Sequence, residues 1–67
     1  MQILINGNPK QIAAESMTIA ALVNTLNIAG KRIAIECNGE IVPRSQFAVV
    51  LLNDGDKLEI VGAVGGG

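Results

Sequence analysis

The sequence predicts an α+β fold in which a mixed sheet of about five strands wraps one helix. Three observations carry that expectation. Short segments of alternating apolar and polar residues stand at both ends of the chain and in its middle. Two of them run into Asn-Gly pairs, Asn6-Gly7 and Asn38-Gly39, which tolerate the positive φ of a tight hairpin turn. Between those two turn signals, one apolar stripe repeats with helical spacing.

The first strand is Met1 to Asn6, with Met1, Ile3 and Ile5 on one face and Gln2, Leu4 and Asn6 on the other. After the Asn6-Gly7-Asn8 turn, Lys10 to Ala13 is expected to return as a short strand with Ile12 on its apolar face. Pro9 stands at its start, where a missing donor does least harm. Thr18 is the expected helix N-cap, and Met17 and Leu22 are spaced for a hydrophobic staple across it. Ile19, Leu22, Val23 and Leu26 then fall at i, i+3, i+4 and i+7. Asn27 to Gly30 ends the helix, with Gly30 as a left-handed residue. Such a short helix does not hold alone, so it must lie on the sheet.

Lys31 to Asn38 alternates again, with Ile33, Ile35 and Cys37 on one face. Glu40-Ile41-Val42 is a short strand stopped by Pro43, which marks a sheet edge. Ser45 to Ala48 is expected to form one helical turn with Phe47 inward. Asn53-Asp54-Gly55-Asp56 is a tight turn, and the last strand runs to Val64 with Leu58 and Ile60 inward and Val61 outward. Each hairpin supplies its own partner, so the last strand is left to pair with the first, in parallel. The expected core is Ile3, Ile5, Leu22, Leu26, Ile35, Leu58 and Ile60.

A chain of 67 residues is one domain, expected here as a body over 1–64 and a flexible glycine tail over 65–67. The formal charge of -1 and the scattered Lys and Arg give no basic field, so no nucleic-acid partner is expected. One cysteine and no histidine exclude an internal disulfide and argue against a metal site. The longest apolar run, Ala48 to Leu52, is far short of the ~20 residues of a membrane helix. A basic-then-apolar leader is absent from the N-terminal residues, and a cytoplasmic protein, monomeric when free, is expected.

The usual catalytic sets are missing. Without histidine, neither a Ser-His-Asp nor a Cys-His arrangement can be built. Asp54 and Asp56 read as turn residues rather than paired catalytic carboxylates. Cys37 reads as a small buried hydrophobe from its parity with Ile33 and Ile35. Arg44 is either a solvated charge or a docking contact, and Lys31-Arg32 a polar strand start. The group with unusual placement is the carboxylate of Gly67, behind Gly65 and Gly66. Side-chain-free residues enter a narrow cleft easily, and they also resist ordering. A carboxylate is inert towards thiols and amines. Adenylated by ATP it becomes a mixed anhydride, which a persulfide converts towards a thiocarboxylate and a lysine towards a conjugate.

Three stretches resemble a known family: Asn38-Gly39-Glu40-Ile41-Val42-Pro43-Arg44-Ser45-Gln46, the Asp54-Gly55-Asp56 turn with the strand after it, and the glycine end. Across its whole length the chain is similar to the thiamine-biosynthesis sulfur carrier proteins, the ThiS family of ubiquitin-like β-grasp proteins. The resemblance implies a protein co-substrate rather than an enzyme, with no bound cofactor. A ThiF-type adenylyltransferase would use ATP on the terminal glycine, sulfur would replace AMP, and the thiocarboxylate would serve thiazole synthase (ThiG). Mapped here, Gly67 carries the acyl group and Gly65 and Gly66 thread the channels. Docking would use the sheet face near the last strand, with Val61 and Ala63 outward and Arg44 at its edge. Two departures stand out. The minimal family ending is two glycines and here there are three, so Gly66 carries sulfur if Gly67 is not the functional end. Val49 and Val50 also stand where an exposed segment would be polar. The alternatives are the small subunit of molybdopterin synthase, a ubiquitin-like protein modifier, and a β-grasp interaction module with an idle tail.

Overall fold

Two left-handed residue pairs build the two hairpins. Asn6 and Gly7 take φ of 52° and 83°, and join β1 (Gln2–Ile5) to β2 (Asn8–Gln11). Asn38 and Gly39 take 53° and 88°, and join β4 (Ile33–Cys37) to β5 (Glu40–Val42). Asparagine and glycine are the residues that reach this region with least strain. The structure, a computed structural model, describes residues 1–62; the expectations for Ala63, Val64 and the three final glycines lie outside the described residues.

The return strand β2 starts earlier than expected. A two-residue turn sets Ile5 opposite Asn8, so pairing begins at once and places Pro9 opposite Leu4. β2 is the sheet edge, where proline's missing donor interrupts no ladder. Ile12 falls just past the strand, yet its N–H still reaches the Met1 carbonyl at 2.7 Å.

The main sheet has five strands in the order β2-β1-β7-β4-β5, where β7 is Lys57–Gly62. β1 and β7 pair in parallel, with Leu4 opposite Lys57 and Ile5 opposite Leu58, as the leftover-strand argument required. β7 is also antiparallel to β4, from Ile33 opposite Gly62 to Cys37 opposite Leu58. The strand that leads to the C-terminal residues is thus the central strand of the sheet.

The helix α1 (Ile19–Thr25) crosses the inner face of this sheet. Thr18 caps it: its Oγ accepts from the Ala21 N–H at 3.1 Å. Two more first-turn donors are satisfied from far along the chain. Ile19 N–H donates to the Val50 carbonyl at 3.1 Å and Ala20 N–H to the Phe47 carbonyl at 2.8 Å. This gives the Ala48–Leu52 stretch a backbone role that its composition concealed. The chain arrives there through a 3₁₀ turn (Arg44–Gln46), one residue ahead of the expected turn. It leaves through β6 (Leu51–Leu52), which pairs with β3 (Met17–Thr18) in a separate two-stranded ladder. At the other end Asn27 (φ 61°) and Gly30 (φ 86°) turn the chain out of the helix.

The buried core is Ile3, Ile19, Leu22, Val23, Ile35, Phe47, Leu52 and Leu58. Ile5, Leu26 and Ile60, expected in the core, pack against it partly buried, as do Ile33, Cys37 and Val42. Among the described residues no helix is long and apolar enough to cross a membrane.

Candidate functional site

The site is the root from which the C-terminal residues leave, together with the sheet face around it. β7 is held on both sides as far as Ile60. On the β4 side it is paired from Leu58 to Gly62. On the β1 side, Asn6 N–H donates to the Leu58 carbonyl at 2.9 Å. One step further along β7, the backbone of β1 has turned away into its hairpin. There the Asn6 side chain takes over: its Nδ2 donates to the Ile60 carbonyl at 3.0 Å, and its Oδ1 accepts from the Ile60 N–H at 2.7 Å.

The outer face of the sheet follows from the pairing register. Ala34 stands opposite Val61, and Glu36 stands opposite both Glu59 and Ile41. Val61 and Ile41 are large apolar residues left 57% and 74% exposed, on a face that also carries the exposed carboxylates of Glu36 and Glu59. Val61 is outward, as expected. Ala63 lies outside the described residues. Arg44 follows β5, the edge strand of the sheet. Its Nη2 donates to the Lys31 carbonyl at 2.8 Å, and its guanidinium carbon lies 5.8 Å from the centroid of the buried Phe47 ring. Arg44 thus ties the 3₁₀ turn to the connection after α1 while staying exposed.

The acidic turn is structural in its contacts. Asp54 Oδ1 accepts from the Gln2 N–H at 2.7 Å and Asp56 Oδ2 from the Asn53 N–H at 2.8 Å. Asp56 Oδ1 accepts from Asn38 Nδ2 at 3.1 Å, and Asn38 Oδ1 accepts from the Lys57 N–H at 3.0 Å. The turn is thereby stitched to β1 and to the second hairpin at the start of β7. The sequence marks Asn6 and Asn38 only as turn formers. Their side-chain partners lie 54 and 19 residues away, so no local signal announced them.

Cys37 is partly buried against the core, in agreement with its parity. Burial, then the carboxylates of Asp56 and Glu40, push its thiol above the ordinary value. Such a thiol stays protonated at neutral pH and is a poor nucleophile. Among the described residues no group of three His, Cys, Asp or Glu side chains is placed to hold a metal ion. The described body thus offers a strand held by both its neighbours and an outer face on which Val61 and Ile41 are exposed. Gly65, Gly66 and Gly67 lie beyond it, outside the described residues.

Comparison with known proteins places this arrangement. The sequence model of the ThiS family matches residues 3–67, a span that includes the final glycines. The sulfur carrier protein ThiS of Escherichia coli is 36% identical over 67 residues, and the match covers all of both chains. A thiazole synthase of Paramagnetospirillum magneticum is 49% identical over the same 67 residues, but the chain spans only 20% of that protein's length. A crystal structure of the thiamine biosynthesis protein ThiS from Geobacter metallireducens superposes with a TM-score of 0.88 at 33% identity, covering all of both chains.

Proposed function

The chain belongs to the ThiS family, and from that premise we infer that it is a sulfur carrier in thiamine biosynthesis, a protein co-substrate without catalysis of its own. The observation that carries this reading is the family match itself, which extends through the glycine end. The described body fits it: a sheet whose central strand runs out towards the glycine end, and a cysteine whose thiol burial pushes above its ordinary value.

The chemistry we propose is centred on Gly67, or on Gly66 if the last residue is not the functional end. A carboxylate oxygen attacks the α-phosphate of ATP on a ThiF-type adenylyltransferase and displaces pyrophosphate. The terminal sulfur of a persulfide then attacks the acyl carbon and displaces AMP, leaving an acyl disulfide. A thiol cleaves its S–S bond, so that the thiocarboxylate leaves with one sulfur and the thiol becomes part of a disulfide. The thiocarboxylate gives its sulfur to thiazole synthase. A relative called thiazole synthase contains a segment like this chain, which supports that second partner. Gly65 and Gly66 thread the partner's channel, where a Cβ would obstruct the path. Docking uses the outer sheet face around Val61 and Ala63, with Arg44 at its margin. The proposed compartment is the cytoplasm, which supplies ATP and a reducing thiol pool.

The test is ATP–pyrophosphate exchange with a ThiF-type adenylyltransferase. The parent chain should support exchange. Gly66→Val should abolish it with the melting temperature unchanged, and Val61→Asp should raise the concentration of carrier needed. Full exchange by Gly66→Val would reduce the glycines to an idle end and remove the carrier assignment.

A further inference from the structure

We propose that Asn6 is a positioning residue for the acyl-transfer chemistry of the tail, because its carboxamide holds the β1 side of the central strand opposite the side that β4 holds. The inference rests on the sulfur-carrier reading and adds a residue to it.

β1 runs out of backbone before β7 does. β1 and β7 pair in parallel at only two positions, Leu4 with Lys57 and Ile5 with Leu58. At Asn6 the chain enters the left-handed region, at φ 52°, and departs into the hairpin. β7 nevertheless runs on to Gly62. Without a substitute, Ile60 would face the β1 side with both its N–H and its carbonyl unpaired. The Asn6 carboxamide supplies one acceptor and one donor from a single rigid plane, at 2.7 and 3.0 Å. The side chain thus acts as one more peptide unit of β1, placed where the β1 backbone can no longer reach. Asparagine also suits the positive φ that the turn requires, so one residue both turns the hairpin and extends the ladder.

The consequence falls on the end of the chain. Gly67 is five residues beyond Gly62, a reach of at most about 18 Å when extended. Held extended in a partner's channel while the sheet face is docked, that segment can absorb little displacement of its root. A shift at Ile60 is passed on to the carboxylate, and a misplacement of about 1 Å costs on the order of a hundredfold in rate. The Asn6 clamp is solvent-exposed, so its contribution to overall stability is small compared with its effect on geometry.

Two variants separate these roles. Asn6→Gly keeps the left-handed turn and removes both hydrogen bonds. Asn6→Asp keeps the size and the acceptor but sets a second oxygen against the Ile60 carbonyl. Each is compared with the parent in adenylation by a ThiF-type enzyme, alongside melting temperature and hydrogen exchange at the Ile60 amide. In both variants exchange at Ile60 should quicken and kcat should fall by tenfold or more. KM for the carrier should stay within about threefold, because the docking face is untouched. An unchanged kcat, or a loss confined to KM, in the two folded variants would overturn the proposal and leave the carrier reading standing. Failure of the parent itself to be adenylated would overturn the carrier reading, and this inference with it.

Discussion

Cys37 shows how one side chain's surroundings decide what chemistry the molecule leaves available. It closes β4, half-buried, with Asp56 and Glu40 near enough to add to the effect of burial on its thiol. The thiolate is the reactive form, so the folded protein should react with a neutral thiol reagent more slowly than the same chain in denaturant. The sign of the pH dependence follows from the raised value. Between the unfolded and folded thiol pKa values the native state holds the proton more tightly. Stability is therefore unaffected below the ordinary thiol range and falls as pH rises through it towards the folded value. Denaturation followed against pH should show that alkaline decline in the parent and a flatter limb in Cys37→Ala. A folded-state reaction as fast as the denatured one would contradict the burial argument. The inward placement of Cys37 was legible from alternation alone, because parity along a strand is a local property. The bridging roles of Asn6 and Asn38 were not, because their partners are brought close only by the finished sheet.

The elements divide in the same way between what local chemistry specifies and what the assembled fold supplies. Both hairpins, the helix stripe with its Thr18 cap, and the parallel closure of β1 on β7 follow from turn residues and periodicity. The β3–β6 ladder does not, since two residues per strand carry no period. Neither does the use of the Phe47 and Val50 carbonyls as caps for α1, which depends on where the 3₁₀ turn delivers the chain. Helix packing also ranks two residues the stripe treats alike. Leu22 is fully buried, whereas Leu26 is at the C-cap and only partly covered. Leu22→Ala should destabilise the domain by about 2–5 kcal/mol, and Leu26→Ala by distinctly less. Urea denaturation of the pair checks this, and a larger loss at Leu26 would mean that α1 presents a different face to the sheet.

The molecule as a whole is a small body whose central strand leads to the C-terminal residues. A chain this short removes only about 60% of its unfolded surface from water, so it has little stability to spare for strained catalytic geometry. Its fold instead holds β7 between β1 and β4 and leaves Val61 and Ile41 exposed on the outer face. That division of labour fits a family in which a segment like this chain also occurs within a much longer thiazole synthase. The central claim is that sulfur is carried at the terminal glycine and not on the cysteine. Intact mass spectrometry with fragmentation, on the chain incubated with a ThiF-type enzyme, ATP, a persulfide donor and a thiol, tests it most directly. The account predicts exchange of one oxygen for one sulfur, localised to Gly67, or to Gly66 if the chain is trimmed, and retained in Cys37→Ala. A sulfur atom added to Cys37 without loss of oxygen, and no exchange at the glycine end, would contradict it.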